Sequence, residues 1–141
     1  MILKVKKLHP NAVLPKYQSI GAACFDLVAI DYESKATGVT IYSTGLAFDI
    51  PPGYVLLVYS RSGHGFNQNT RLANCVGVVD SDYRGEVFVK LTRDDGHYAM
   101  PTIGDRVAQA MLMPVNQVEI QECDELSETK RGSNGLGSTG A

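Results

Sequence analysis

Val76-Gly-Val-Val-Asp-Ser-Asp-Tyr-Arg-Gly-Glu-Val-Phe-Val89 is the stretch on which the reading of this chain turns. Two short β-branched runs flank a polar turn at Ser81-Asp-Tyr-Arg-Gly85, a pattern that predicts a β-hairpin. Asp80 follows Val78 and Val79 directly, which puts its carboxylate at the edge of an apolar wall. Partial burial there suits a general base; a turn-capping aspartate is the alternative reading. Tyr83 reads first as a packed hairpin side chain and second as a platform for a ligand.

The same rhythm of short apolar runs and turn residues continues on both sides. Residues 1–7, 38–43, 46–50 and 54–59 read as strands upstream, with a turn at Pro51-Pro-Gly53. The apolar runs 72–79 and 86–92 flank the central turn, Asp94-Asp-Gly96 is a further turn, and 106–115 and 117–121 are the last strands, divided near Pro114. No window holds a 3.6-residue apolar period, and at most one helical turn fits, near 62–67. Many short strands with regular turn signals predict an all-β fold, a sandwich or barrel. The 141 residues suffice for one domain with a core. After Leu126 the composition changes: residues 127–141 carry four glycines and one large apolar side chain, Leu136. Such a segment buries too little surface to order itself, so 1–126 reads as the folded body and 127–141 as a flexible arm.

Composition narrows the function classes. The formal net charge is −2, without the basic stripe of a nucleic-acid binder. No segment approaches the roughly 18 apolar residues of a membrane helix, and the lysine-broken start does not read as a signal peptide. Cys24, Cys75 and Cys123 are odd in number and lack CxxC spacing, which predicts reduced thiols and a cytoplasmic protein rather than a disulfide framework or zinc site. His9, His64 and His97 are scattered, with no HExxH or deaminase pattern. Any metal must arrive with a ligand or bind carboxylate oxygens.

Four further stretches carry candidate chemistry. Gly135-Leu-Gly-Ser-Thr-Gly140 spells GxGxxG, but a dinucleotide site needs a following helix and only Ala141 follows. Without a lysine it is no P-loop either. What remains is a phosphate clamp of backbone N–H groups helped by Arg131, or a disordered tail. Tyr59-Ser-Arg-Ser-Gly-His-Gly65 offers Arg61, Ser62 and Gly63 either as a second anion site where a short helix begins or as a capped turn with a surface arginine. In Ala22-Ala-Cys-Phe-Asp-Leu-Val-Ala29, Asp26 alternates with Phe25 and Leu27, so it faces away from both as a water-mediated metal contact or a solvated strand residue. Gly104-Asp-Arg-Val-Ala-Gln109 opens a strand in which Asp105 and Arg106 can pair and Gln109 can offer an amide.

Taken in order, five blocks resemble the five motifs of the trimeric dUTPase family: Ala23-Cys-Phe-Asp-Leu27, Arg61-Ser-Gly63, Gly77-Val-Val-Asp-Ser-Asp-Tyr-Arg-Gly85, Gly104-Asp-Arg-Val-Ala-Gln109, and Arg131-Gly through Gly135-Leu-Gly-Ser-Thr-Gly140. The resemblance implies a distorted jelly-roll-like barrel or sandwich and a homotrimer whose active sites are each built from three chains. It implies hydrolysis of dUTP to dUMP and pyrophosphate with Mg²⁺ held mainly by the substrate phosphates. Asp80 would be the base for a water attacking the α-phosphorus, and Gln109 an α-phosphate contact. Arg61, Ser62 and Gly63 would cradle the β- and γ-phosphates, and Asp26 would reach the metal through water. Backbone of Gly77, Val78 and Val79, with Phe88 nearby, would pair with the uracil edge, and Asn74 would act beside the pyrimidine. Tyr83 under the sugar would leave no room for a 2′-OH. Arg131, Gly137 and Ser138 would close over the γ-phosphate, with Leu136 over the base.

The chain departs from the family pattern at three places. Leu136 stands where an aromatic residue is usual, Asn134 where a glycine is usual, and His64-Gly65 where Leu-Ala is frequent. Two competing readings share the fold. A dCTP deaminase is disfavoured by the arm and by Tyr83; a non-catalytic nucleotide-gated regulator is disfavoured by the intact Asp80, Gln109 and Arg61.

Overall fold

The computed structural model describes residues 1–93, 99–136 and 138. Its described elements are ten strands and one short helix: β1 (Lys4–Lys7), β2 (Phe25–Val28), β3 (Asp31–Ala36), β4 (Val39–Ser43), β5 (Leu46–Asp49), β6 (Tyr54–Tyr59), α1 (Ser62–Gln68), β7 (Thr70–Leu72), β8 (Val76–Val79), β9 (Phe88–Arg93) and β10 (Arg106–Pro114). The strands form two four-stranded antiparallel sheets, ordered β2-β10-β6-β8 and β3-β4-β9-β7, and a β1-β5 ribbon. The all-β expectation holds, and the one helix falls where the single helical turn was expected.

Alternation builds the core. β6 contributes Val55, Leu56 and Val58, β9 contributes Val89 and Leu91, and β10 contributes Val107, Ala108 and Ala110, all buried. Leu27, Tyr42, Leu46, Phe48 and Ile50 complete the cluster. Losing Leu56 or Leu91 to alanine would cost about 2–5 kcal/mol. The Tyr42 phenol donates to the Pro101 carbonyl at 2.8 Å, and burial pushes its pKa up to about 12. Pro51-Pro-Gly53 is the predicted turn: Tyr54 N–H donates to Pro51 C=O at 3.2 Å, and Gly53 takes φ +79° as a type II turn demands.

The structure corrects the sequence reading in several places. The central stretch is not a hairpin: β8 pairs with β6 in one sheet, and β9 pairs with β4 and β7 in the other. The turn between them is an arch that passes from sheet to sheet. The expected continuous run 72–79 is two strands, interrupted where Cys75 adopts φ +62°. β3 was missed because Asp31-Tyr-Glu-Ser-Lys-Ala36 is exposed throughout and shows no apolar face. No strand forms at 117–121; Val118 and Ile120 lie exposed and pair with no described strand. The Asp94-Asp-Gly96 turn and His97 lie outside the described residues. Every described residue beyond Leu112 is exposed, and β10 is followed by a last tie to the body, Val115 N–H to Gly53 C=O at 2.9 Å.

Candidate active site

The arch opens a groove of about 610 Å³ where the two sheets meet. Seven of the predicted site residues line it: Asn74, Gly77, Val78, Val79, Asp80, Tyr83 and Phe88. β8 ends its sheet, so its outer backbone edge pairs with no described strand. A strand edge of this kind presents free N–H and C=O groups in a fixed spacing. Val78 and Phe88 are 63% and 57% exposed, which gives that edge an apolar rim. Gly77 belongs there for steric reasons, because a Cβ would come within 3.1 Å of the Val58 side chain.

Side chains that sequence reasoning missed hold the arch in place. Glu86 accepts hydrogen bonds from Ser43 Oγ and from Gly45 N–H at 2.7 Å. Thr44, fully buried, donates from Oγ1 to the Val87 carbonyl at 2.6 Å. Arg84 donates to Ser81 C=O at 2.6 Å and pairs with Asp49 at 2.8 Å. Tyr83 is folded back on the arch: its hydroxyl donates to Glu86 C=O at 2.9 Å, and its ring lies against Gly85. A Cβ on Gly85 would come within 2.4 Å of the Tyr83 hydroxyl. Asp80 is exposed, so the partial burial expected from Val78 and Val79 is not present in the single chain. Its backbone carbonyl accepts from Tyr83 N–H at 3.2 Å, which closes the turn.

A second group sits apart from this groove. Asp26 faces away from buried Phe25 and Leu27, as its alternation predicted, and its side chain is only 11% exposed. Both carboxylate oxygens are occupied: Oδ1 accepts from Arg61 Nε and Oδ2 from an Arg106 amino group, each at 3.1 Å. Arg106 therefore pairs with Asp26 and not with Asp105. Asp105 instead accepts from Thr102 N–H at 2.7 Å and from the Thr102 hydroxyl. Arg61 also donates to Arg106 C=O at 3.2 Å, and Gln109 donates from Nε2 to Ser60 C=O at 2.9 Å. Arg61 is the N-cap of α1, and exposed Ser62 and Gly63 open its first turn. Burial first and then the nearby Asp26 charge push the Cys24 thiol up, which favours its protonated form.

The third group is the arm. Arg131 Nε donates to Asn134 C=O at 2.9 Å, and Ser138 N–H donates to Gly135 C=O at 3.1 Å, both contacts within the arm itself. Leu136 is 108% exposed. Gly137 lies outside the described residues. None of Asp26, Arg61, Ser62, Gly63, Gln109, Arg131, Leu136 or Ser138 lines the groove. Folding of one chain thus assembles the first group and leaves the other two elsewhere.

Three comparisons agree on what this arrangement belongs to. The family model described as dUTPase matches residues 10–140. A deoxyuridine 5'-triphosphate nucleotidohydrolase of Nautilia profundicola is 44% identical over 141 residues, covering 99% of each chain. Its counterpart in Helicobacter pylori strain P12 is 40% identical, over 99% of this chain and 97% of that one. Among solved structures, a Staphylococcus bacteriophage 80alpha dUTPase with dUPNHPP superposes with a TM-score of 0.85 over 99% of both chains, at 24% identity, a likeness of fold. Matched along nearly its whole length by sequence and fold alike, the chain belongs to the dUTPase family.

Proposed function

We propose that the groove between β8 and β9 is where this chain, a dUTP diphosphatase, hydrolyses dUTP to dUMP and pyrophosphate, with Asp80 as the general base. The observation that carries this reading is the unpaired β8 edge opening into the groove. Uracil presents acceptor, donor and acceptor along one edge, which a row of backbone groups from Gly77 to Val79 can match. Cytosine reverses part of that pattern and would leave desolvated groups unpaired, a large penalty. Asn74 and Phe88 border the same groove, and Tyr83, which also lines it, would leave no room for a 2′-hydroxyl. Asp80, exposed on the arch, can take a proton from a water as that water attacks the α-phosphorus. The bond to the bridging oxygen breaks on the opposite side, and pyrophosphate leaves.

Phosphate contacts would come from the other two groups. Arg61, Ser62 and Gly63 would hold the β- and γ-phosphates, and Gln109 the α-phosphate. Arg131, Ser138 and Gly137 would close over the γ-phosphate, with Leu136 over the base. Their separation from the groove within one chain supports a homotrimer with shared sites, as does the exposed apolar stretch around Val118 and Ile120. On this reading residues 1–126 are the body and 127–141 the closing arm. Among the described residues no group of three or more His, Cys, Asp and Glu side chains could hold a metal. The Asp26 carboxylate, a hard oxygen donor beside Arg61, fits a Mg²⁺ carried in by the triphosphate, whose charge the ion would partly neutralise, the two touching through water. No described helix is long and apolar enough to cross a membrane.

The test is a panel of dUTP, dTTP, dCTP and UTP with Mg²⁺, scored for pyrophosphate and for ammonia. Pyrophosphate from dUTP alone is expected, and ammonia from dCTP would overturn the reading. Asp80→Asn should lower turnover by about 10²–10⁴-fold while leaving analogue binding within a few-fold. Retained turnover would remove Asp80 from the role of base.

A further inference from the structure

His64 is not used by the reading above. It is 8% exposed, and its buried Nδ1 makes no hydrogen bond. A buried imidazole nitrogen without a partner is uncommon and calls for a cause. The backbone of His64 is tied at both ends of α1: its N–H donates to Arg61 C=O at 3.1 Å, and its C=O accepts from Asn69 N–H. The residue therefore sits one helical turn from Arg61. Together with Arg61, Gln68, Thr102, Asp105 and Arg106 it lines a hollow of about 390 Å³. That volume admits water.

Among the described residues, the lining of this hollow carries two cations against one carboxylate. Arg61 and Arg106 line the hollow as cations, and both lean on the single carboxylate of Asp26. Among the described residues Asp105 is the one carboxylate lining the hollow, and its Oδ2 is taken up by Thr102. Burial and then the Arg61 charge hold His64 below the ordinary imidazole range, with Asp105 opposing them. A triphosphate on Arg61, even with its Mg²⁺, would add net negative charge to this environment. Several negative charges would arrive beside an imidazole whose free nitrogen is already desolvated.

We propose that dUTP binding at Arg61 draws a proton from solvent onto the His64 imidazole, making His64 a proton-linked positioning residue for the phosphate contact. This rests on the assignment of Arg61 to the phosphates. A protonated imidazole carries N–H groups on both nitrogens, and its positive charge then adds to that of Arg61 beside the phosphates. By reciprocity, the protein binds dUTP more tightly as pH falls. The leucine frequent at this position in the family cannot do this, so the property belongs to this chain and to relatives with histidine here.

The experiment is long-range ¹H–¹⁵N NMR of the imidazoles in the full-length chain across pH 5–8.5. It is run free and with Mg²⁺ and a non-hydrolysable α,β-imido analogue of dUTP, and the His64 signal is identified by its loss in His64→Leu. Should that variant fail to fold, backbone-linked assignment in the unaltered chain identifies the signal. The His64 pKa is expected to rise by about one unit or more on binding. Analogue affinity should correspondingly gain about tenfold more between pH 8 and pH 5.5 in the unaltered chain than in His64→Leu, a difference that cancels the analogue's own titration. An unchanged or lowered pKa in the saturated complex overturns the proposal and leaves His64 as packing. If the analogue perturbs no signal from Val78 to Tyr83, the site assignment itself fails, and this inference with it.

Discussion

At the residue scale, Gly85 and Tyr83 make a matched pair. The ring occupies the space that any side chain at position 85 would need. Gly85→Ala should therefore displace Tyr83 while leaving the core untouched. The expected result is a rise in UTP turnover relative to dUTP, with Tm lowered by only a few degrees. Steady-state kinetics on both nucleotides check this, and an unchanged ratio would separate Tyr83 from sugar selection. His64 gives a second residue-scale prediction, on stability. Its folded pKa lies below the unfolded value of 6.5, so the neutral form is favoured by folding. The contribution is complete above pH 6.5 and is lost as pH falls from there toward the folded pKa. Thermal melts should show Tm declining below pH 6.5, with a shallower decline in a folded His64→Leu protein.

At the element scale, the pattern of legibility is instructive. β2 and β4 were readable because each alternates between more and less buried positions, and β5, β6 and β10 because each is an apolar run bounded by turn residues. Asp26 was placed correctly for the same reason, its neighbours being buried on the opposite face. The supposed hairpin was not readable. Two apolar runs and a turn fix the local chain path, but the partner of each run is chosen by packing with distant segments. Local sequence cannot distinguish an arch from a hairpin when the connection is polar in both. The Asp26–Arg61–Arg106 network was missed for a related cause, since its members lie on three separate strands and loops. Glu86 looked like an ordinary strand-entry residue, yet it ties the arch to the β4–β5 connection. Glu86→Ala should cost about 1–3 kcal/mol, because Gly45 N–H and Ser43 lose their acceptor. Chemical denaturation would measure that loss. In the arm, Leu136→Phe should lower KM or raise kcat for dUTP by adding ring-on-ring contact with the base. If neither constant moves, Leu136 does not cover the base.

At the scale of the whole molecule, the three separated groups of site residues make a stoichiometric prediction. Sedimentation equilibrium should give three times the 15.3 kDa chain mass. A chain carrying Asp80→Asn and a chain cut after Leu126 should each be nearly inactive alone. Co-expressed at equal levels, they should recover roughly a quarter of the normal turnover, because random assortment gives some sites an intact Asp80 from one chain and an intact arm from another. Recovery no greater than the sum of the two parents would mean that each site is built within a single chain.

The arch has one more consequence. Its groove is walled by residues of both sheets, so the spacing of the sheets sets its width. On the proposed site assignment, repacking Leu56, Val58 or Val89 to harden this protein against heat should also change which nucleotides it accepts. β3 lines none of the groove and is exposed along its length in the single chain, so a change of charge, a tag or a grafted loop there should leave the dUTP preference unchanged.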